Sequence, residues 1–474
     1  MRSLVWFRRD LRLRDHPALF HACEHADGGV VGVFAVTPQQ WIEHDESPGK
    51  IQFWLQNLAK LSQSLQQLQI PLLIVTCDTF DEVPSEILSI AKAHQCSSLF
   101  FNCEYEVNES RRDDSVAADF DRAGITVHRF HDRVIVPPEE IETKEGRFYT
   151  VFTPYRRVWD RQISTVTDPL PVPDEQSSTE IEPSAVPSSI AGFDFSDNRT
   201  DLWIPGEEEA QLRLDKFMEK ISDYDEKRDI PSVNGTSVLS PYLAAGVISP
   251  RQCLFAALAP TGGELREDSE ATTWISELTW RDFYAHVLVG FPRVSKHQPF
   301  KQKTRSVRWR ENRADFEAWC DGQTGYPIVD AGMRQLNRTG WMHNRLRMVT
   351  AMFLTKHLLI DWRWGERYFM SKLIDGDLAA NNGGWQWSAS TGTDSVPYFR
   401  IFNPFSQSKR FDPDGIFIKK FCPELSEVNA KALHDAKKLA KEIADKQIKY
   451  PAFVVDYKTG RERALAEFKR AGSQ

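Results

Sequence analysis

Apolar residues follow two rhythms along this chain. Over residues 1–135, short continuous apolar runs at Leu4–Phe7, Val30–Val36, Leu72–Thr76, Ser98–Phe101 and Ile125–Phe130 alternate with stretches of helical spacing. The runs are too short for helices and carry little polar alternation, the mark of strands buried on both faces of a parallel sheet. The clearest helical stretch is Ile51–Leu68, where Ile51, Leu55, Leu58, Leu61, Leu65 and Leu68 form one stripe. This alternation predicts an α/β N-terminal domain with a doubly wound, Rossmann-like parallel sheet. Ligands of such sheets gather beyond the carboxyl ends of the strands. No G-x-G-x-x-G follows the first strand, so a dinucleotide site of that kind is not expected there.

The pattern weakens over residues 136–204, where Pro137, Pro138, Pro171, Pro173, Pro183 and Pro187 mix with Ser, Asp and Glu. This reads as a long connector. Its first part, GRFYTVFTPYRRVWD, is aromatic enough to pack on a domain surface. Residues 205–474 read as a large all-α domain, with helices over Glu207–Ile221, Pro250–Ala259, Thr272–Val289, Asp315–Cys320, Ile328–Thr339, Met342–Leu359 and Glu366–Leu378. Ser240 and Ser249, each followed by proline, suit helix starts. Asn381-Asn382-Gly383-Gly384 suits a left-handed cap that ends the helix from Glu366.

Composition changes the picture at one point. Of 474 residues 14 are tryptophan, and indoles are costly to bury without a partner for the N–H. The net charge of −8 argues against nucleic acid, but the distribution does not. Asp174–Glu209 holds ten acidic residues and one basic one, Arg199, whereas Arg293–Arg313 holds eight basic residues and one acidic one, Glu311. A local basic stripe decides phosphate binding, although a solvated charged face has the same composition. Seven cysteines without a C-x-x-C read as reduced thiols, with no metal site. Neither a signal peptide nor a membrane-length apolar run is present, so a cytoplasmic location is expected.

Four constellations stand out. Trp274, Glu277, Arg281 and Tyr284 share one helix face with Trp280 on its flank. A surface Glu277–Arg281 ion pair is the plain reading; a carboxylate meeting a base edge beneath stacking rings is the functional one. Asn344 and Met348 share a face beside Arg345 and Arg347. Thr236, Ser237, Val238, Leu239 and Ser240 offer hydroxyls and backbone N–H groups before a helix, which suits a helix cap or a phosphate, with Tyr224 just upstream. Asp361–Asn403 packs Trp362, Trp364, Trp385 and Trp387 beside Asp375-Gly376-Asp377 and Asn381. A bound aromatic cofactor accounts for that mixture.

Together these stretches are not independent. The chain resembles the photolyase/cryptochrome family along its whole length, in VWFRRDLRLRDHPAL, NGTSVLSPYLAAGVISPRQ, WISELTWRDFY, GYPIVDAGMRQLNRTGWMHNRLRMVTA and DWRWGERYFMSKLIDGDLAANNGGWQWSASTGTD. It looks most like the bacterial class I cyclobutane pyrimidine dimer photolyases. The resemblance implies an antenna-chromophore domain over 1–135, a connector over 136–204 and a helical domain over 205–474 that binds FAD and the DNA lesion. Tyr224 and Thr236–Ser240 match phosphate-contacting positions, Trp274 a cofactor-side tryptophan, and Asp375, Gly376 and Asp377 the acidic turn near the flavin, with Arg347 a candidate partner. Asn381 matches the residue facing flavin N5, where asparagine is the photolyase pattern. Trp309, Trp362 and Trp385 match an electron relay. Glu277, Trp280, Arg281, Asn344, Arg345, Met348, Trp387 and Gln407 match lesion- and DNA-binding positions, helped by Lys409 and Arg410. His44, Asn108, Glu109 and Lys296 match an antenna site of the folate type, favouring methenyltetrahydrofolate over a deazaflavin. The implied activity is light-driven repair of dimers in ultraviolet-damaged DNA by a monomer without membrane or obligate protein partner; a cryptochrome-type photoreceptor is the rival.

Overall fold

The five apolar runs fold as strands β1 (Arg2–Phe7), β2 (Val30–Val36), β3 (Leu72–Thr76), β4 (Cys96–Asn102) and β5 (Thr126–Phe130). All pair in parallel, in the order β3-β2-β1-β4-β5, with Leu4 of β1 opposite Val31 and Leu99. The winding reverses between β1 and β4, so a crevice is expected where those two strands end. Helix Pro48–Gln67 buries Ile51, Leu55, Leu58, Leu61 and Leu65, as its stripe requires. Ser47 caps it by accepting from the Lys50 N–H, and Pro48 holds the first turn.

This computed structural model describes residues 1–196, 200–266 and 268–472. Asp197 and Arg199 of the acidic stretch lie outside the described residues. Two compact units emerge. The first comprises Met1–Ser222, Ser237–Ser295 and Ile374–Ala379; the second comprises Asp223–Thr236, Lys296–Leu373 and Ala380–Gln474.

In the first unit the expected connector is not a free linker. Ser184 donates its N–H to Leu72 O (2.9 Å), its hydroxyl accepts from Ile74 N–H (3.0 Å), and Gln176 N–H reaches Leu68 O. β3 is an edge strand with unpaired backbone groups, and the proline-rich chain supplies partners for them. The aromatic part of the connector forms a helix, Phe152–Gln162, with Tyr155 and Trp159 buried.

In the second unit a helical core gathers around Trp319, Tyr326, Phe353, Trp362 and Trp385. Two expected boundaries fail. The helix Trp362–Met370 ends at Ser371, and a new helix, Leu378–Ala389, runs straight through Asn381-Asn382-Gly383-Gly384. The cap propensity of these residues is overridden because Asn382 donates to Glu366 Oε1 (2.7 Å) and accepts from Gln386 Nε2 (2.8 Å). The helix expected over Met342–Leu359 is α-helical only at Asn344–Met352, then widens to a π turn at Phe353–His357. There the buried Lys356 ammonium donates to Ala389 O (3.2 Å) and Ser390 Oγ (2.8 Å). Among the described residues no helix is long and apolar enough to cross a membrane.

Candidate chromophore and lesion sites

The loops leaving β1, β2 and β4 frame a cleft within the first unit. Aromatic walls come from Trp6, Phe34, Trp41, Trp54 and Phe80, and polar groups from Arg8, Arg9, His44, Glu109 and Arg112. Arg8 and Arg112 lie over the Trp6 ring at 4.1 and 4.7 Å. The indole N–H groups of Trp6 and Trp54 are buried without an acceptor. Buried donors rarely stay unsatisfied, so a flat ligand with acceptors on its edge fits this cleft.

His44 joins Asn108 Nδ2 (3.1 Å), Gln40 Nε2 (3.0 Å) and Glu109 (3.6 Å). Three of the four expected antenna residues therefore meet. Lys296 is exposed and belongs to the second unit. Burial, then the nearby Glu106 charge, pushes the Glu109 carboxyl up to about 8. Near neutral pH it is a carboxylic acid that both donates and accepts a hydrogen bond. Burial lowers the pKa of His44, keeping it neutral.

A stability signature follows from Glu109. Below the ordinary carboxyl pKa of 4.5 both folded and unfolded chains hold the proton. Between there and about 8 only the folded chain holds it, so stability falls as pH rises through that window. Glu109→Gln should remove this slope and melt higher than the parent above about pH 8. Superimposable melting-versus-pH curves would contradict the protonated carboxyl.

Beneath the cleft, buried charges alternate in sign. Arg8 pairs with Asp113 (2.9 Å), Arg112 with Asp113 (2.8 Å) and Glu104 (2.6 Å), and Arg9 with Glu104 and Glu106 (2.8 Å). Arg133 then joins Glu106 (3.1 Å) to Asp377. Burial alone would raise the Glu104 pKa, but Arg9 and then Arg112 hold it well below the usual carboxylate range. Lys50, fully buried, donates to Gly376 O (2.5 Å). The Asp375-Gly376-Asp377 turn is thus fastened by Lys50 and Arg133. Arg133 carries no sequence signal, because its partner lies 244 residues away.

Helix Thr272–Gly290 carries the next group. Trp274 is buried against Phe217 (4.9 Å). Glu277 and Trp280 are half-buried, and Trp280 lies flat on Phe152. The Arg281 guanidinium goes to the backbone carbonyls of Arg133 and Leu243 (3.4 Å). Ser240 opens a short helix, Ser240–Ala245, and Ser237 Oγ accepts from Leu239 N–H (3.4 Å) with Val238 at φ 53°.

In the second unit, Asn381 donates Nδ2–H to the Glu366 carbonyl (3.0 Å). This fixes which way the amide points and leaves Oδ1 as an acceptor. One turn on, Trp385 is 2% exposed with no acceptor for its N–H. Gly365 is needed beneath it, since a Cβ there would sit 2.1 Å from the indole. Trp362 is 1% exposed, and Trp309 is half-buried on Phe468 (5.9 Å), so two of the three are interior and Trp309 lies nearer the surface. Trp319, which the sequence did not single out, meets Trp385 edge-on at 5.9 Å.

Trp387 is half-buried two residues beyond Trp385. Asn344 is exposed with Met348 half-buried one turn along. Arg345 is gripped by Asp229 (3.1 and 2.5 Å) and lies over Phe411 (4.5 Å). Arg347 Nε donates to Met342 O (2.9 Å), Tyr224 is buried beside Arg228, and Gln407 is half-buried. Thr236 is half-buried at the end of its segment. In the basic stripe Lys296, Lys303, Arg305, Arg308 and Arg313 are exposed, whereas Arg310 pairs with Asp315 (3.0 Å).

Residues 3–174 match the family model described as DNA photolyase, and residues 274–470 match the FAD binding domain of DNA photolyase. Over 472 residues the chain is 44% identical to the deoxyribodipyrimidine photo-lyase of Salmonella typhimurium, covering 99% of this chain and 98% of that protein. The chain belongs to the DNA photolyase family. The Escherichia coli deoxyribodipyrimidine photo-lyase is likewise 44% identical, with the same coverage. Among solved structures, a class III photolyase from Agrobacterium tumefaciens superposes with TM-score 0.88 at 33% identity, covering 100% of this chain and 98% of that one. A cryptochrome from Synechocystis also reaches 0.88, at 28% identity over 98% of this chain and 99% of that one. Fold alone therefore does not separate the two branches of the photolyase family. As a photolyase-family chain it carries an FAD-binding domain, and the Asn381 acceptor suits a ring N–H of that cofactor. All seven cysteines are free, and among the described residues no acidic, histidine and cysteine group is arranged to hold a metal ion.

Proposed function

We propose that this chain is a deoxyribodipyrimidine photo-lyase that uses FAD and blue light to split cyclobutane pyrimidine dimers in DNA. The observation that carries the reading is identity of 44% to photo-lyases over essentially the whole chain. Bound FAD supplies the light-driven one-electron chemistry. Asn381, through its fixed amide, and the Asp375–Asp377 turn would hold its ring system, and Tyr224 and Thr236–Ser240 would hold its phosphates. Trp309, Trp362 and Trp385 serve as electron carriers toward the surface.

The lesion is received by side chains that stack or hydrogen-bond. Base flipping, for which photolyases are a stock example, costs a few kcal/mol and least for a damaged pair. Stacking on Trp280 and Trp387 returns about 1–3 kcal/mol per base. Asn344, Arg345 and Met348 shape the pocket, while Gln407, Lys409, Arg410 and the exposed stripe hold the backbone. Arg281, turned to carbonyls, supports the fold beside the lesion. Glu277, as the protonated acid, donates a hydrogen bond to a dimer carbonyl and steadies the charge that develops there.

His44, Asn108 and Glu109 belong to the antenna domain over 1–135, the strap to 136–204, and the FAD- and lesion-binding residues to 205–474. We assign the cleft at His44, Asn108 and Glu109 to methenyltetrahydrofolate; a near-ultraviolet band that survives flavin removal supports folate, and a band further toward the visible supports a deazaflavin. The protein acts as a cytoplasmic monomer.

Dimer-containing oligonucleotides under blue light provide the test. Restoration by the parent supports repair, and none supports the cryptochrome reading. Glu277→Ala should lower repair per absorbed photon about tenfold, the value of one hydrogen bond to a charged group, with flavin absorbance unchanged. An undiminished yield would remove Glu277 from the mechanism.

A further inference from the structure

Trp280 has one face already occupied. Phe152, the first residue of helix Phe152–Gln162, lies flat against the indole, with ring centroids 3.7 Å apart and planes within 4°. Aromatic pairs left to themselves favour offset or edge-on arrangements, so the surrounding structure presses these two together. Phe283 closes the corner, edge-on to Trp280 (5.6 Å, 79°) and to Phe152 (5.7 Å, 76°). Tyr284 flanks the indole at 5.6 Å.

The helix bearing Phe152 cannot easily shift. Trp159, one face further along, is fully buried and donates its indole N–H to Asp282 Oδ2 (2.9 Å). The same oxygen accepts from Ile135 N–H (2.9 Å) and Val136 N–H (3.1 Å). Tyr155, also fully buried, packs on Phe283 (5.1 Å) and His286 (5.0 Å). A half-exposed tryptophan on a helix would otherwise sample several rotamers. Here one face is covered and one edge is blocked, so the half-buried ring has little freedom to turn.

We propose that Phe152 is a positioning residue for lesion recognition: it backs Trp280 so that a flipped pyrimidine meets one pre-set indole face. Phe152 does not touch the lesion. It acts by removing the rotamer freedom that binding would have to quench. The proposal rests on the reading of Trp280 as a lesion-stacking residue.

The experiment measures binding of the FAD-loaded protein to dimer-containing and undamaged oligonucleotides, with Phe152→Leu, Phe152→Tyr, Trp280→Ala and the Phe152→Leu/Trp280→Ala pair. Phe152→Leu should weaken dimer binding about tenfold, comparable to the low end of one stacking contact. Undamaged-DNA binding, flavin absorbance and repair yield per photon at saturating substrate should not change. Phe152→Tyr, which keeps a flat ring, should restore affinity. In the Trp280→Ala background Phe152→Leu should add nearly nothing, because coupled residues are non-additive. Equal losses in both backgrounds, or no loss with Phe152→Leu, would overturn the positioning role. If Phe152→Leu fails to fold, Phe152→Met is read against the same outcomes. Trp280→Ala without any loss of dimer affinity would instead sink the parent reading of Trp280.

Discussion

Replacing Asp132 with alanine is expected to lower the unfolding free energy by about 3–5 kcal/mol, the usual cost of stripping one partner from a buried ion pair. Arg12 and Asp132 are each 1% exposed and paired. Burial alone would lower the Arg12 pKa, but Asp132, and after it Asp15, raise it. Without Asp132 the guanidinium keeps only carbonyls such as those of Arg14 (3.0 Å) and Gly246 (3.1 Å) as direct acceptors. Carbonyl dipoles do not neutralise a buried charge. Urea denaturation would show the shift in midpoint. The double replacement Arg12→Met/Asp132→Leu should be milder than Asp132→Ala, because no charge is left behind. A single variant as stable as the parent would mean that water reaches the site.

Trp385→Phe should slow light-driven reduction of bound FAD by more than about a hundredfold, equivalent to about 2.7 kcal/mol on the barrier. Phenylalanine fills much of the space over Gly365, so the fold should hold. What it lacks is an easily oxidised π-system. Loss of visible flavin absorbance under blue light with a thiol donor gives the rate. Repair by chemically pre-reduced protein should be unaffected if, as proposed, the relay serves only to recharge the cofactor. Trp319 makes the test sharper. It touches Trp385 edge-on (5.9 Å) and is fully buried. If it offered an equivalent route, the Trp385→Phe loss would be slight and Trp319→Phe would deepen it.

The central strands β1 and β2 were legible because a strand buried on both faces has few polar interruptions to blur it. β4 was read short only where Cys96, Ser97 and Asn102 break the apolar run. The crevice at the strand ends followed from topology, and the cleft holding His44, Asn108 and Glu109 lies there. Local chemistry misled where distant partners decide the outcome. Asn381-Asn382-Gly383-Gly384 has the composition of a cap, yet bonds to Glu366 hold it in mid-helix. The proline-rich strap looked unstructured because its hydrogen bonds go to Leu68, Leu72 and Ile74 and not to its neighbours. Arg133 and Phe152 were missed for the same reason: neither belongs to a periodic pattern, and their partners Asp377 and Trp280 lie far away in the chain.

The alternating charges beneath the aromatic cleft carry a lesson for anyone refitting the protein with a different pigment. Residues 8, 9, 104, 106, 112, 113, 133 and 377 are interlocked. Altering one member to suit a new dye would strand its neighbours, so a tolerated redesign must exchange whole pairs at a stroke. Natural drift at these positions should accordingly proceed in concerted jumps.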